Sequence, residues 1–118
     1  RLYYYLEDYT NARNFLEQAI SDGNRSEEVI LLLGRSYEAL NDSNYALKLY
    51  EDYVAQAPNG AIYNQMGLCY CGMGEYESAI QAFEKGLSVQ ENSCKQQLSY
   101  NQIIAYERSS QTLRDMQA

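Results

Sequence analysis

Three kinds of residue recur along this chain at a spacing of 33 or 34. Ala12 to Ala46 is 34 residues and Ala46 to Ala79 is 33; Gly34 to Gly67 is 33; Tyr3 to Tyr37 is 34 and Tyr37 to Tyr70 is 33. A period in the range of roughly 20–50 residues marks one supersecondary unit that buries its apolar face only by stacking on its neighbours. The clearest copy is residues 61–87, AIYNQMGLCYCGMGEYESAIQAFEKGL. There Tyr63, Met66, Gly67 and Tyr70 recur at helical spacing, Gly72-Met73-Gly74-Glu75 interrupts, and Tyr76, Ala79, Ile80 and Phe83 resume the period. The pattern predicts two helices of about a dozen residues packed antiparallel through a glycine turn.

The same reading extends in both directions. Leu2, Tyr3 and Leu6 predict the tail of one helix, with a break at Glu7-Asp8 and a second helix carrying Tyr9, Ala12, Leu16, Ala19 and Ile20. Gly23 then caps that helix in the left-handed region, and Ser26 with Glu27-Glu28 starts the next. Its stripe is Ile30, Leu33, Gly34, Tyr37 and Leu40, followed by a turn at Asn41-Asp42-Ser43 and a helix with Ala46, Leu47, Tyr50, Tyr53 and Val54. Pro58 stops that helix, because proline lacks the ladder N–H and biases Ala57 away from the α region. Beyond Leu87, Leu98, Ile103, Ile104 and Tyr106 predict an apolar face on a helix over 94–107; residues 108–118 lack glycine, which leaves open a helical extension or a fresh hairpin partner after a turn near Ser109-Ser110. The organisation read from this is a single all-α domain over 1–118: a partial repeat over about 1–25, repeats over 26–59 and 60–93, and a partial repeat or capping helix over 94–118.

The slot pattern resembles the tetratricopeptide repeat family: a bulky residue, a Leu-Gly pair, a tyrosine, then an alanine, an aromatic, another small residue and a proline. Tyr63, Met66-Gly67, Tyr70, Ala79, Phe83 and Gly86 fill these slots in the third copy, with Glu91 in place of proline. Ile30, Leu33-Gly34, Tyr37, Ala46, Tyr50 and Pro58 fill them in the second. Physically, Gly34 and Gly67 let one helix approach the other with no Cβ between them, and the aromatics fill the space.

The resemblance implies a right-handed α-α superhelix whose first helices line a concave groove. By helical phase the groove positions are Tyr4, Tyr5, Arg35, Glu38, Asn64, Leu68, Cys71, Tyr100, Asn101, Ile104 and Arg108. Amides that bond a peptide backbone, beside tyrosines that give contact area at low entropic cost, suit an extended peptide or a short helix. A protein-interaction module acting as adaptor or assembly scaffold is therefore expected, with a structural spacer or end-to-end self-association segment as the alternative. A subclass of the family clamps C-terminal carboxylates with lysines and asparagines; Asn64 and Arg35 sit in suitable places, but the lysines are missing. The composition is also similar to that of many bacterial members.

Charge and chemistry narrow the classes further. A net charge of -7 works against nucleic acid, whose affinity comes from lysine and arginine displacing counterions. There is no histidine, no G-x-S-x-G and no phosphate-binding glycine loop, so neither an enzyme nor a cofactor is expected. No apolar run reaches the ~18 residues of a membrane span, so no membrane insertion is expected in this segment. Cys69 and Cys71 project roughly 160° apart on a helix, which precludes a shared metal ion or an unstrained disulfide. The start at Arg1 rather than methionine predicts a segment of a longer protein, in a compartment that the residues leave open.

Overall fold

The computed structural model describes the backbone of residues 2–89 and 94–117, and side chains over 8–89 and 94–116. The described residues are all-helical, in the order α1 (Leu2–Ser21), α2 (Glu27–Ala39), α3 (Ser43–Gln56), α4 (Gly60–Gly72), α5 (Tyr76–Leu87) and α6 (Lys95–Gln117). They divide into two compact units, Arg1–Gln56 with α1–α3 and Ala57–Ala118 with α4–α6.

Three turns close by the same chemistry. Gly23, Asn41 and Gly74 adopt φ of 98°, 65° and 78°. Each left-handed residue is followed by the paired backbone bonds of a Schellman motif: Asn24 N–H to Ala19 O and Gly23 N–H to Ile20 O (both 2.9 Å), Asp42 N–H to Tyr37 O (2.8 Å) and Asn41 N–H to Glu38 O (3.1 Å), Glu75 N–H to Tyr70 O (2.9 Å) and Gly74 N–H to Cys71 O (3.0 Å). Glycine and asparagine take this conformation cheaply, whereas other L-residues pay about 1–2 kcal/mol.

That cost explains the departure from the break expected at Glu7-Asp8, and it decides between the two alternatives open at Ser109-Ser110. Counting back 34 from Asn41 gives Glu7, and counting on 36 from Gly74 gives Ser110. Neither residue takes a left-handed conformation readily, and neither ends a helix. Thus α1 runs without the break expected at Glu7-Asp8, and α6 runs through Ser109-Ser110 to Gln117. At the start of α2 the Ser26 hydroxyl accepts from Val29 N–H at 3.4 Å, as expected; at the start of α4 the structure adds a cap that the sequence reading does not include, the Asn59 side-chain oxygen accepting from Ile62 N–H at 3.0 Å.

In the first unit Leu16, Ile30, Leu33, Ala46, Leu47, Tyr50 and Val54 are buried. The Tyr50 ring lies where a Cβ on Gly34 would fall, and its hydroxyl donates to Glu38 Oε2 at 2.8 Å. Tyr37 is half-buried, and its hydroxyl donates to Glu17 Oε2 at 2.6 Å, tying α2 to α1. Burial pushes the Tyr37 phenol well above its usual value, and the Glu17 carboxylate adds to the effect by accepting the bond and repelling a phenolate. A raised folded-state pKa means that this contribution is complete below pH ~10, the unfolded value, and is lost as pH rises from there towards the folded value. Tyr37→Phe is expected to flatten the loss of stability above pH 10 in denaturant titrations. An equally steep loss in the variant would remove Tyr37 as its source.

In the second unit Ala79, Phe83, Leu98 and Ala105 form the buried cluster, with Tyr70, Cys71, Ile80, Leu87 and Cys94 packed around it. Gly67 lies directly beneath the Phe83 ring. A Cβ on Gly86 would meet Leu98 Cδ2 at 2.7 Å and Tyr63 Cβ at 3.0 Å, so this small residue lets α6 close on α5.

The apolar face expected on α6 is corrected in part. Leu98 is buried and Ile104 half-buried, but Ile103 and Tyr106 are 58% and 53% exposed, and the second buried residue is Ala105. The repeated tyrosine slot is likewise not deep core: Tyr37 and Tyr70 are half-buried. The Tyr3 side chain lies outside the described residues.

Candidate functional site

In the second unit α5 packs on both α4 and α6, and α4 also touches α6. Contacts between the two outer helices set their register. Asn101 Nδ2 donates to Asn64 Oδ1 at 2.8 Å, and the Arg108 guanidinium acts electrostatically on Cys71. Both partners advance by seven residues, two helical turns, so α4 and α6 run parallel and form a two-helix strip.

Seven of the expected groove residues fall on this strip. Asn64 and Asn101 make one rung, and two turns further on Arg108 is near enough to act electrostatically on Cys71; between these positions come Leu68, 41% exposed, and Ile104, half-buried. Tyr100 is 65% exposed on α6. The asparagine bond uses one donor and one acceptor, which leaves the Asn64 N–H groups and Asn101 Oδ1 with no partner among the described residues. A half-buried amide donor and acceptor beside an apolar patch can bond a backbone while side chains settle on leucine and isoleucine.

Burial raises the Cys71 thiol above its ordinary value, while Arg108 opposes the shift. The raised value keeps the thiol protonated at neutral pH, so Cys71 offers a small apolar contact rather than a nucleophile. All three cysteines are free thiols.

The remaining expected positions lie on the first unit. Arg35 is exposed on α2; Glu38 is half-buried and takes the Tyr50 hydroxyl. Tyr4 and Tyr5 belong to α1, and their side chains lie outside the described residues. One feature has no counterpart in the sequence reading: an apolar groove of about 790 Å³ between α1 and α2, lined by Tyr9, Asn11, Ala12, Phe15, Leu16, Leu32, Arg35 and Ser36. Phe15 and Leu32 lie off the helical stripes, and that was the only signal available.

Each unit contains an antiparallel helical hairpin with a glycine-to-ring contact, the second a repeat of the first. Family models described as tetratricopeptide repeat match residues 60–93 and residues 4–67, the latter more than half of the chain. The chain belongs to the tetratricopeptide repeat family, a non-catalytic fold whose members are in general protein-interaction modules. Among curated proteins it is similar to DnaJ homolog subfamily C member 7 of Homo sapiens, 26% identical over 121 residues, which cover 93% of this chain and 23% of that protein. The Mus musculus protein of the same name is 26% identical over 117 residues, covering 90% of this chain and 22% of the relative. The chain thus spans under a quarter of the length of these relatives, both of them mammalian. No described helix is long and apolar enough to cross a membrane.

Proposed function

We propose that the α4–α6 strip binds an extended peptide segment of a partner protein, and that the chain serves as an adaptor or assembly scaffold rather than an enzyme. The observation that carries this reading is the Asn64–Asn101 pair, whose spare amide donor and acceptor lie beside Leu68 and Ile104. A peptide backbone offers the complementary acceptor and donor, and a hydrophobic side chain next to it covers the two aliphatic residues. Tyr100 supplies a rigid aromatic contact at one side, and Arg108 a charge for polar or acidic side chains.

The test is an array of twelve-residue peptides with free and amidated C-termini. Sequences that bind are expected to lose at least tenfold in affinity on Leu68→Asp and on Asn101→Ala, with helicity unchanged by circular dichroism. Full binding to both variants would overturn the strip as the site. Indifference to amidation would place recognition along the backbone rather than at a terminal carboxylate.

A second reading, a structural spacer or self-association segment without a peptide ligand, is favoured by a separate observation. Apolar side chains stand exposed on α6 and between α1 and α2.

A further inference from the structure

Along the α4–α6 strip the chemical groups come in a set order. At about 1.5 Å of rise per residue, Leu68 stands about 6 Å beyond Asn64 on α4, and Ile104 about 4.5 Å beyond Asn101 on α6. Cys71 and Arg108 both stand about 10.5 Å beyond the asparagine rung. An amide level, an aliphatic level and a cationic level thus follow one another.

The charge on the strip has one sign. Helix α4, GAIYNQMGLCYCG, contains no Asp, Glu, Lys or Arg. On α6 the acid beside Arg108 is Glu107, which helical phase turns about 100° away. The Arg108 guanidinium is near enough to act on the Cys71 thiol, so it lies over the strip. A carboxylate that meets it there sits beside Leu68, Ile104 and the half-buried Cys71, where partial exclusion of water strengthens the pair. In a chain of net charge -7, the strip attracts an acidic segment.

This surface stays the same however the chain continues. Offset by 36, Gly67 and Tyr70, on the α4 face that meets α5, correspond to Ile103 and Tyr106 on α6. A helix following α6 in the repeat order would pack on that face, which lies roughly 160° in helical phase from Asn101, Ile104 and Arg108.

An extended peptide advances about 3.3 Å per residue and turns alternate side chains to one face, so neighbouring side chains on that face are about 6.6 Å apart. The step from Ile104 to Arg108, about 6 Å by helical rise, takes two such residues. One residue is half as long and points its side chain away. We propose that the strip selects a hydrophobic residue and an aspartate or glutamate two positions apart within an extended internal segment, the first on Leu68 and Ile104 and the second on Arg108. The inference rests on the peptide reading above and adds to it the chemistry and spacing of the two side chains.

The test uses the full chain and a synthetic library of twelve-residue peptides, acetylated and amidated so that no terminal carboxylate is present. The peptides followed are those that lose binding to Leu68→Asp and to Asn101→Ala. Among them a large hydrophobic residue and an acid are expected two positions apart, in either order. Replacing that acid by its amide, or moving it by one position, should weaken binding roughly tenfold, the loss expected for a charge-assisted bond. Arg108→Glu should reject the acidic peptides and bind versions with lysine in the acid's place. Arg108→Gln is the second variant should Arg108→Glu disturb α6, and it should bind acid and amide forms equally. Strip-dependent peptides with no fixed acid overturn the proposal and leave the strip as the site; so do peptides with the acid three or four positions away, the spacing of a helical ligand. A library with no peptide dependent on Leu68 and Asn101 overturns both.

Discussion

Gly67→Leu is expected to lower the melting temperature by several degrees. The glycine is buried, and a Cβ at this position would fall inside the van der Waals envelope of three atoms of the Phe83 ring. Phe83 is itself fully buried among Ala79, Leu98 and Ala105, so the ring cannot swing into solvent to make room. Overpacking a well-filled core costs about 1–3 kcal/mol, and replacing a helical glycine returns about 1 kcal/mol of propensity. The clash wins, because the first added atom already collides and leucine adds three more. For a chain of this size each kcal/mol shifts the midpoint by on the order of 4 °C. Gly67→Ala separates the terms by adding the Cβ alone, and Phe83→Leu in the same background should recover part of its loss by removing Cε1 and Cζ. An unchanged melt for Gly67→Leu, or no recovery in the double variant, would show that the ring does not hold this position.

The contact behind that result was legible only in part: the 33-residue spacing marked Gly34 and Gly67 as places of close helix approach, whereas the ring that lies over each, Tyr50 or Phe83, is known from the structure. The turns were legible only where the residues agreed with the repeat. Asn41 and Gly74 could take positive φ, but the period also asked for turns at Glu7-Asp8 and Ser109-Ser110, where the backbone preference of ordinary residues opposed it. Local chemistry prevailed, and α1 and α6 are uninterrupted. Tyr106 shows a different limit. It shares a slot with Tyr37 and Tyr70, yet burial in that slot depends on a neighbouring helix, which no residue in the slot encodes. Helical phase selected Asn64 and Asn101 for the candidate site individually. Their pairing across 37 positions depends on the link after α5, whose length departs from the repeat.

Leu98→Ala is expected to release α6 from the second unit. Leu98 and Ala105 are the two buried hydrophobic residues of this helix among the described residues, and Leu98 alone is large. It closes against Gly86 and joins the cluster with Ala79 and Phe83. Truncating a buried leucine costs about 2–5 kcal/mol, and alanine is the better helix former, so the loss would come from packing rather than from helix propensity. Among the described residues the polar ties of α6 to α4 and α5 are slight: Gln102 Nε2 reaches Ile80 O only at 3.5 Å, and the Asn101–Asn64 bond lies on the half-exposed strip. The loss should therefore appear as local opening. Amides of α6 are expected to exchange roughly 30-fold faster or more, while α4 and α5 keep most of their protection. The consequence for binding follows, because α6 carries Asn101, Ile104 and Arg108; peptides that bind the strip should weaken in parallel with the loss of α6 protection. Equal acceleration across α4, α5 and α6 would mean that the three helices open as one body. Unchanged exchange would mean that α6 is held by contacts other than Leu98.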